Sequence, residues 1–253
     1  MLEIIDLIFV LIAISLGAYF QTITGFGLGI IVIGICTLFK LAPISIMATV
    51  VSIITLPNCL SALIGKKIEF DKSLFIAIIL GIFPGTLFGI YLLNTLSDSA
   101  TNLLSGALGC MILFSSLTFI FQPKINQRPS KWASFVGAGF ASGFSGGLFG
   151  MAGPPVVYHL YKQPMAIETI RTLLLLIFTC TSSSRTLIVY LQGDLTQNIS
   201  ILALIAVPLV YIVTMLARKY PPPFKSTTLR KIVFITLVSI AIQLIIKFVL
   251  YYA

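Results

Sequence analysis

Charge is scarce in this chain. Asp, Glu, Lys and Arg make up only 9% of its 253 residues, against about 25% in a soluble globular domain. A water-soluble fold with so few charges would expose large apolar patches and aggregate, so that class is excluded. Carboxylates are the scarcest of the four, seven Asp and Glu against sixteen Lys and Arg. Histidine occurs once, at His159. The four cysteines, Cys36, Cys59, Cys110 and Cys180, each sit in an apolar run and form neither a CxxC nor a zinc spacing, so they read as small buried apolar residues. Nothing in the sequence calls for a metal or a cofactor, and no ATP-binding motif is present. The alternating pattern of a membrane β-barrel is also missing. Glu3 and Asp6 stand where a secretion signal would carry a basic stretch, so no cleaved signal is expected.

What the chain does have is apolar surface, 58% of its residues. Apolar runs long enough to span a bilayer recur from end to end. The reading is an all-α polytopic membrane protein with about 8–10 membrane segments. The net charge of +9 then belongs to loops, where Lys and Arg gather on the cytoplasmic side. There is no arginine-rich arm and no basic stripe interleaved with aromatics. The expected partner is therefore the lipid bilayer and not nucleic acid.

Two stretches interrupt the apolar pattern. Ser142-Gly143-Phe144-Ser145-Gly146-Gly147-Leu148-Phe149-Gly150-Met151-Ala152-Gly153-Pro154-Pro155 holds five glycines and two prolines, and Thr22-Ile23-Thr24-Gly25-Phe26-Gly27-Leu28-Gly29 resembles it. Glycine and proline break helices. A broken backbone at membrane depth is tolerated only where protein buries it or it lines a wet cavity. Paired breaks at corresponding places in two halves point to a transporter's binding site.

The halves correspond in register. Gly17-Ala18-Tyr19-Phe20 aligns with Gly137-Ala138-Gly139-Phe140 at an offset of 120, while Thr55 with Thr179 and Pro84 with Pro208 give 124. The division is a first repeat over 1–121, a polar linker over 122–131 and a second repeat over 132–253. If each broken segment crosses once, loop Lys and Arg divide almost evenly between the two sides. If each is a hairpin, thirteen share one side, only Lys40 and Lys247 lie opposite, and Arg185 stays inside the membrane. The positive-inside rule selects the hairpin. Each repeat then holds a broken-helix hairpin plus three transmembrane helices, and the repeats are inverted. Both termini are expected extracytoplasmic, the linker cytoplasmic, and the hairpin arms about 15 residues long, short of a full span.

The expected site lies between the breaks. Half-helix N-termini with unpaired N–H groups suit an anion. The glycines concerned are Gly25, Gly27, Gly146, Gly147, Gly150 and Gly153, with hydroxyls from Thr22, Thr24, Ser142 and Ser145. Arg185 follows the polar run Thr179-Cys180-Thr181-Ser182-Ser183-Ser184, which aligns with the segment around Thr55, Asn58 and Ser61. Arginine in a span costs at least about 2.5 kcal/mol on insertion scales, so a functional role is its default reading. Its planar fork matches sulfonate, sulfite, carboxylate or phosphate oxygens. Thr55, Asn58, Ser182 and Ser183 would complete the shell. Glu168 and Arg171, spaced i, i+3, read as a local ion pair. No acidic residue is placed as an obvious intramembrane proton carrier.

Two other classes compete. The same residues could line an anion channel. Gly143-Phe144-Ser145-Gly146 also matches the GxSG of intramembrane serine proteases, with His159 as partner. That four-residue match is weak, and two prolines separate Ser145 from His159.

The two glycine-rich breaks, with the turns Ile68-Glu69-Phe70-Asp71 and Gly193-Asp194-Leu195 and the Gly81–Gly89 helix, resemble the TauE/SafE (TSUP) family of sulfite exporters over nearly the whole chain. The second copy of that family's signature reads Gly147-Leu148-Phe149-Gly150-Met151-Ala152-Gly153-Pro154-Pro155. The first reads Gly25-Phe26-Gly27-Leu28-Gly29, with no proline until Pro43. The resemblance implies a secondary transporter, not an enzyme, that moves sulfite, sulfonates or related organic anions across the cell inner membrane. With no ATP site, a gradient of the substrate or of a coupling ion, H+ or Na+, would drive it.

Overall fold

The computed structural model describes residues 4–65, 71–96, 100–121, 124–220 and 226–252. Lys66, Lys67, the turn Ile68-Glu69-Phe70, Asp98, the first two linker residues and the Pro221-Pro222-Pro223 loop with Lys225 lie outside them. The described residues form ten helices and no strand. In order these are α1 (Ile4–Thr24), α2 (Leu28–Leu38), α3 (Ile44–Leu63), α4 (Lys72–Leu96), α5 (Thr101–Phe121), α6 (Trp132–Phe149), α7 (Gly153–Tyr161), α8 (Ile167–Gln192), α9 (Gln197–Lys219) and α10 (Ser226–Tyr252). Seven of them, α1, α3, α4, α5, α8, α9 and α10, are long and apolar enough to cross a membrane. The protein is a polytopic helical membrane protein.

The radial pattern is that of a lipid-embedded bundle. Leu80, Phe88, Leu187 and Leu204 are exposed on the outside, while Asn58, Thr86, Ser142, Ser145, Arg185 and Thr214 are buried. Lipid is as apolar as leucine, so burying leucine drives no association. Close backbone contact and internal hydrogen bonds hold such helices together. α4 and α6 illustrate this. Gly81, Gly85 and Gly89 line one face of α4, and Gly139, Gly143 and Gly147 line one face of α6. A Cβ at Gly81 would fall on the Val136 carbonyl, one at Gly85 on the Phe140 carbonyl, and one at Gly143 on the Ile82 carbonyl. The two helices touch backbone to backbone, and they run parallel, because contacts on both advance together from Gly81 with Val136 to Gly89 with Gly147.

At both glycine-rich breaks the chain folds back. After α1 it reverses through Gly25 (φ 89°) and Gly27 (φ 117°), a left-handed backbone that favours glycine. A Cβ at Gly17 of α1 would meet the Leu28 carbonyl and Val32 of α2. After α6 it reverses at Gly150 (φ 64°). There the Ser142 hydroxyl donates to the Ala152 carbonyl and accepts from the Val156 N–H, clasping the hairpin. The arms are unequal: 21 and 11 residues in the first hairpin, 18 and 9 in the second. The sequence leads one to expect arms of about 15 residues. The reversals sit at the left-handed glycines, late in each apolar run, so the first arm takes the extra length. Pro154 and Pro155 occupy the first turn of α7, where proline's missing N–H costs little.

α3 and α8 cross at the centre and run antiparallel: Thr49, early in α3, meets Arg185, late in α8. Around them α4 packs on α6 as α9 packs on α1, α9 on α3 as α4 on α8, and α2 on α10 as α7 on α5. Exchanging α1–α5 for α6–α10 maps these pairs onto each other.

Candidate functional site

The tips of the two hairpins meet the middle of α3 and α8 around a small cavity. Gly27, Gly29 and Ile30 reach it from the first tip, and Gly146, Gly150, Met151, Ala152 and Gly153 from the second. α3 contributes Ser52 and Thr55; α8 contributes Phe178, Thr181, Ser182 and Arg185; Gln21 of α1 completes the wall. The volume is about 20 Å3, room for about one water molecule.

Among the described residues, Arg185 is the only charge on that wall. It is 1% exposed. Its Nε donates to the Gly147 carbonyl at 3.1 Å and its Nη1 to the Thr49 hydroxyl at 3.2 Å. Both acceptors are neutral, and among the described residues no carboxylate pairs with it. A buried guanidinium with five N–H donors and two neutral acceptors retains donor capacity for an anion. On its other side Arg185 faces a larger cavity of about 360 Å3, walled also by Ser45 and Thr49 of α3, Leu93 and Asn94 of α4, Asp194, and Ile199 of α9. The guanidinium therefore partitions a tight central cavity from a wide vestibule.

The helix N-termini at the tips offer fewer donors than the sequence leads one to expect. The Leu28 N–H of α2 is taken by the Gln21 side-chain carbonyl at 3.0 Å. In α7, Pro154 and Pro155 have no N–H, and the Val156 N–H goes to Ser142. By position in the first turn, the N–H groups left without an intrahelical acceptor are those of Gly29, Ile30 and Gly153. All three residues line the cavity.

Of the expected site residues, the fold gathers Gly27, Thr55, Gly146, Gly150, Gly153, Ser182 and Arg185 at this cavity, with the Gly147 carbonyl bound to Arg185. Others hold the scaffold. Ser142 clasps the second hairpin, and Ser145 donates to the Ser142 carbonyl. Thr24 bonds the carbonyls of Phe20 and Phe26 at the first tip. Thr22 donates to the Ala18 carbonyl. Asn58 lies behind the cavity, where its amide donates to the Ala18 carbonyl, Thr22 and Thr214. Gly25 packs against the Arg171 stem, and Ser183 is exposed on the far face of α8. Ser145 and His159 do not meet: the His159 ring lies 3.4 Å from the Ser134 hydroxyl and edge-on to Phe135.

Sequence reasoning missed Gln21, Thr49 and Ser52. Gln21 carried a legible signal, a lone amide in an apolar run four residues before the first glycine of a glycine-rich break. Thr49 and Ser52 carried none, since hydroxyls are common on spans. Arg171 was also misjudged. Its stem packs on Gly25, and its buried Nε has no partner among the described residues; no ion pair with Glu168 is formed there.

Comparison with known proteins bears on the family of the chain. No solved structure matches the chain. A protein of Cupriavidus necator H16, described as a probable sulfite/organosulfonate exporter TauE, is 42% identical over 228 residues, covering 90% of this chain and 89% of its own length. The family described as sulfite exporter TauE/SafE matches residues 9–244. On this family match across almost the whole length and this relative, the chain belongs to the TauE/SafE family of sulfite exporters, transporters of small anions and not enzymes.

Proposed function

We propose that the chain is a secondary transporter that moves sulfite, organosulfonates or related organic anions across the cell inner membrane, holding the anion between its two hairpin tips. The observation that carries this reading is Arg185: buried at mid-bundle, bound among the described residues only to neutral acceptors, and lining one cavity with Gly29, Ile30 and Gly153. Such a charge is costly in a span unless it is used. The guanidinium N–H groups beyond those bound to Gly147 and Thr49 are open to an anion, and the Ser182 hydroxyl lines the same cavity.

Two inverted repeats over 1–121 and 132–253 supply the two sides. The antiparallel crossing of α3 and α8 and the exchanged helix pairs support that inversion. The basic linker at 122–131 then faces the cytoplasm, and both termini lie outside. An H+ or Na+ gradient, or the substrate gradient itself, drives the cycle. The tight central cavity favours alternating access over an open channel.

Flux of labelled sulfite, aminosulfonates and carboxylates into proteoliposomes is the test. Saturable flux above empty liposomes is expected for at least one sulfur oxyanion. Flux no greater than that of empty liposomes for every solute overturns the proposal, and non-saturating flux that never accumulates solute assigns the protein to the channels.

A further inference from the structure

The two ends of the α3–α8 crossing are not alike. At one end lies the vestibule of about 360 Å3. At the other, α3 and α9 are fastened together. The Asn58 amide donates to the Thr214 hydroxyl at 2.8 Å, and Arg218 donates to the carbonyls of Ser61 and Ile64, which end α3. Thr214 is fully buried. Both carbonyls belong to the last turn, where a helix has no internal donors left to give them. A guanidinium there makes charge-assisted bonds and also answers the negative end of the helix dipole.

The repeat register relates these two ends. At the offset of 124, Thr214 corresponds to Ile90, Arg218 to Asn94, Asn58 to Ser182 and Ser61 to Arg185. Ile90, Asn94 and Arg185 are walls of the vestibule. The same pair of helix faces, α9 on α3 and α4 on α8, is thus latched at one end and parted at the other. The latch differs chemically too. It binds main-chain carbonyls through one side chain at the end of α9, so it can release without exposing a second charge.

We propose that the α3–α9 contact, Asn58 with Thr214 and Arg218 with the Ser61 and Ile64 carbonyls, is the gate at the linker end of the central site, shut here while the vestibule stands open. This rests on the transporter reading above. When Arg218 lets go, the end of α9 swings from α3 and opens the central cavity toward the basic face, while α4 closes on α8 over Arg185. The vestibule and the gate are thus alternatives, and weakening one populates the other.

The test reads accessibility and needs no substrate, so it stands even if every solute in the flux panel fails. In a background with Cys36, Cys59, Cys110 and Cys180 replaced, one reporter cysteine is placed at the latch, Ser61→Cys, and one in the vestibule, Ser45→Cys. A membrane-impermeant thiol reagent is applied from the matching side of oriented vesicles. Arg218→Gln is expected to speed Ser61→Cys labelling about thirtyfold, the change that loss of one charge-assisted hydrogen bond brings, while Ser45→Cys labelling stays level or slows. Thr214→Val, which removes only the acceptor for Asn58, moves both reporters in the same directions and serves if Arg218→Gln does not reach the membrane. Faster labelling at both reporters means general loosening and overturns the gate. No change at Ser61→Cys overturns it as well.

Discussion

Replacing Arg185 by methionine separates a binding role from a structural one. The side chains are similar in length, so the change removes charge and donors with little loss of volume. For the empty protein two contributions oppose each other. Taking an arginine into a span costs about 2.5–3.5 kcal/mol on insertion scales. Arg185 regains about as much through its bonds to Gly147 and Thr49, each worth about 1.5 kcal/mol for a charged donor. These nearly cancel, so the empty Arg185→Met protein should lie within about 1 kcal/mol of wild type, a few degrees of melting temperature at most. Anion binding behaves differently. Losing one charge-assisted hydrogen bond to the anion costs about 2 kcal/mol, roughly thirtyfold in affinity. At about 100 times the wild-type dissociation constant an anion stabilises the native state by about 2.7 kcal/mol, and the variant at the same concentration keeps about 0.9 kcal/mol. Thermal unfolding of purified protein across a sulfite and sulfonate titration measures both quantities. An empty variant several kcal/mol less stable, with the anion-dependent shift intact, would show that Arg185 is a structural brace and refute this reasoning.

Three further outcomes follow from the packing. Gly150→Val places a Cβ on the Ala48 carbonyl in a left-handed backbone, so it should abolish folded yield, read by monodispersity in detergent. Gly85→Ala drives a methyl into the Phe140 carbonyl and should destabilise by about 1–3 kcal/mol, whereas Gly137→Ala, with nothing within 4 Å of the added carbon, should be neutral or slightly stabilising; a thermal-shift comparison of the two decides whether the α4–α6 glycine faces are truly in backbone contact. Ser142→Ala strands the Val156 N–H at the second tip and should cost about 1–3 kcal/mol, the penalty of an unsatisfied buried donor, while Ser145→Ala, which loses only a bond to an in-helix carbonyl, should cost clearly less.

Tightness of the central cavity also bears on the cycle. A space of about 20 Å3 admits about one water molecule and is too small for a sulfur oxyanion. The hairpin tips must therefore part, or Arg185 must swing toward the vestibule, before an anion can lie against the N–H groups of Gly29, Ile30 and Gly153. Either movement breaks the bond from Arg185 to Gly147 or to Thr49. Binding energy from the anion is what compensates for that loss.

Composition alone determined that this chain lives in lipid, because 58% apolar residues and 9% charged ones leave no soluble alternative. Glycine and proline marked both reversals, since φ values of 89°, 117° and 64° favour a residue without a Cβ. Arg185 stood out because a charge in a span must be accounted for. What the pattern could not decide was the rotation of each helix about its own axis. Ser182 faces the cavity and Ser183 faces outward; Thr55 lines the wall while Asn58 turns to Thr214. In water a polar stripe and an apolar stripe set that rotation. In lipid both faces of a helix are apolar, so rotation is decided by which small residues let two backbones touch, and only the packed tertiary structure contains that information.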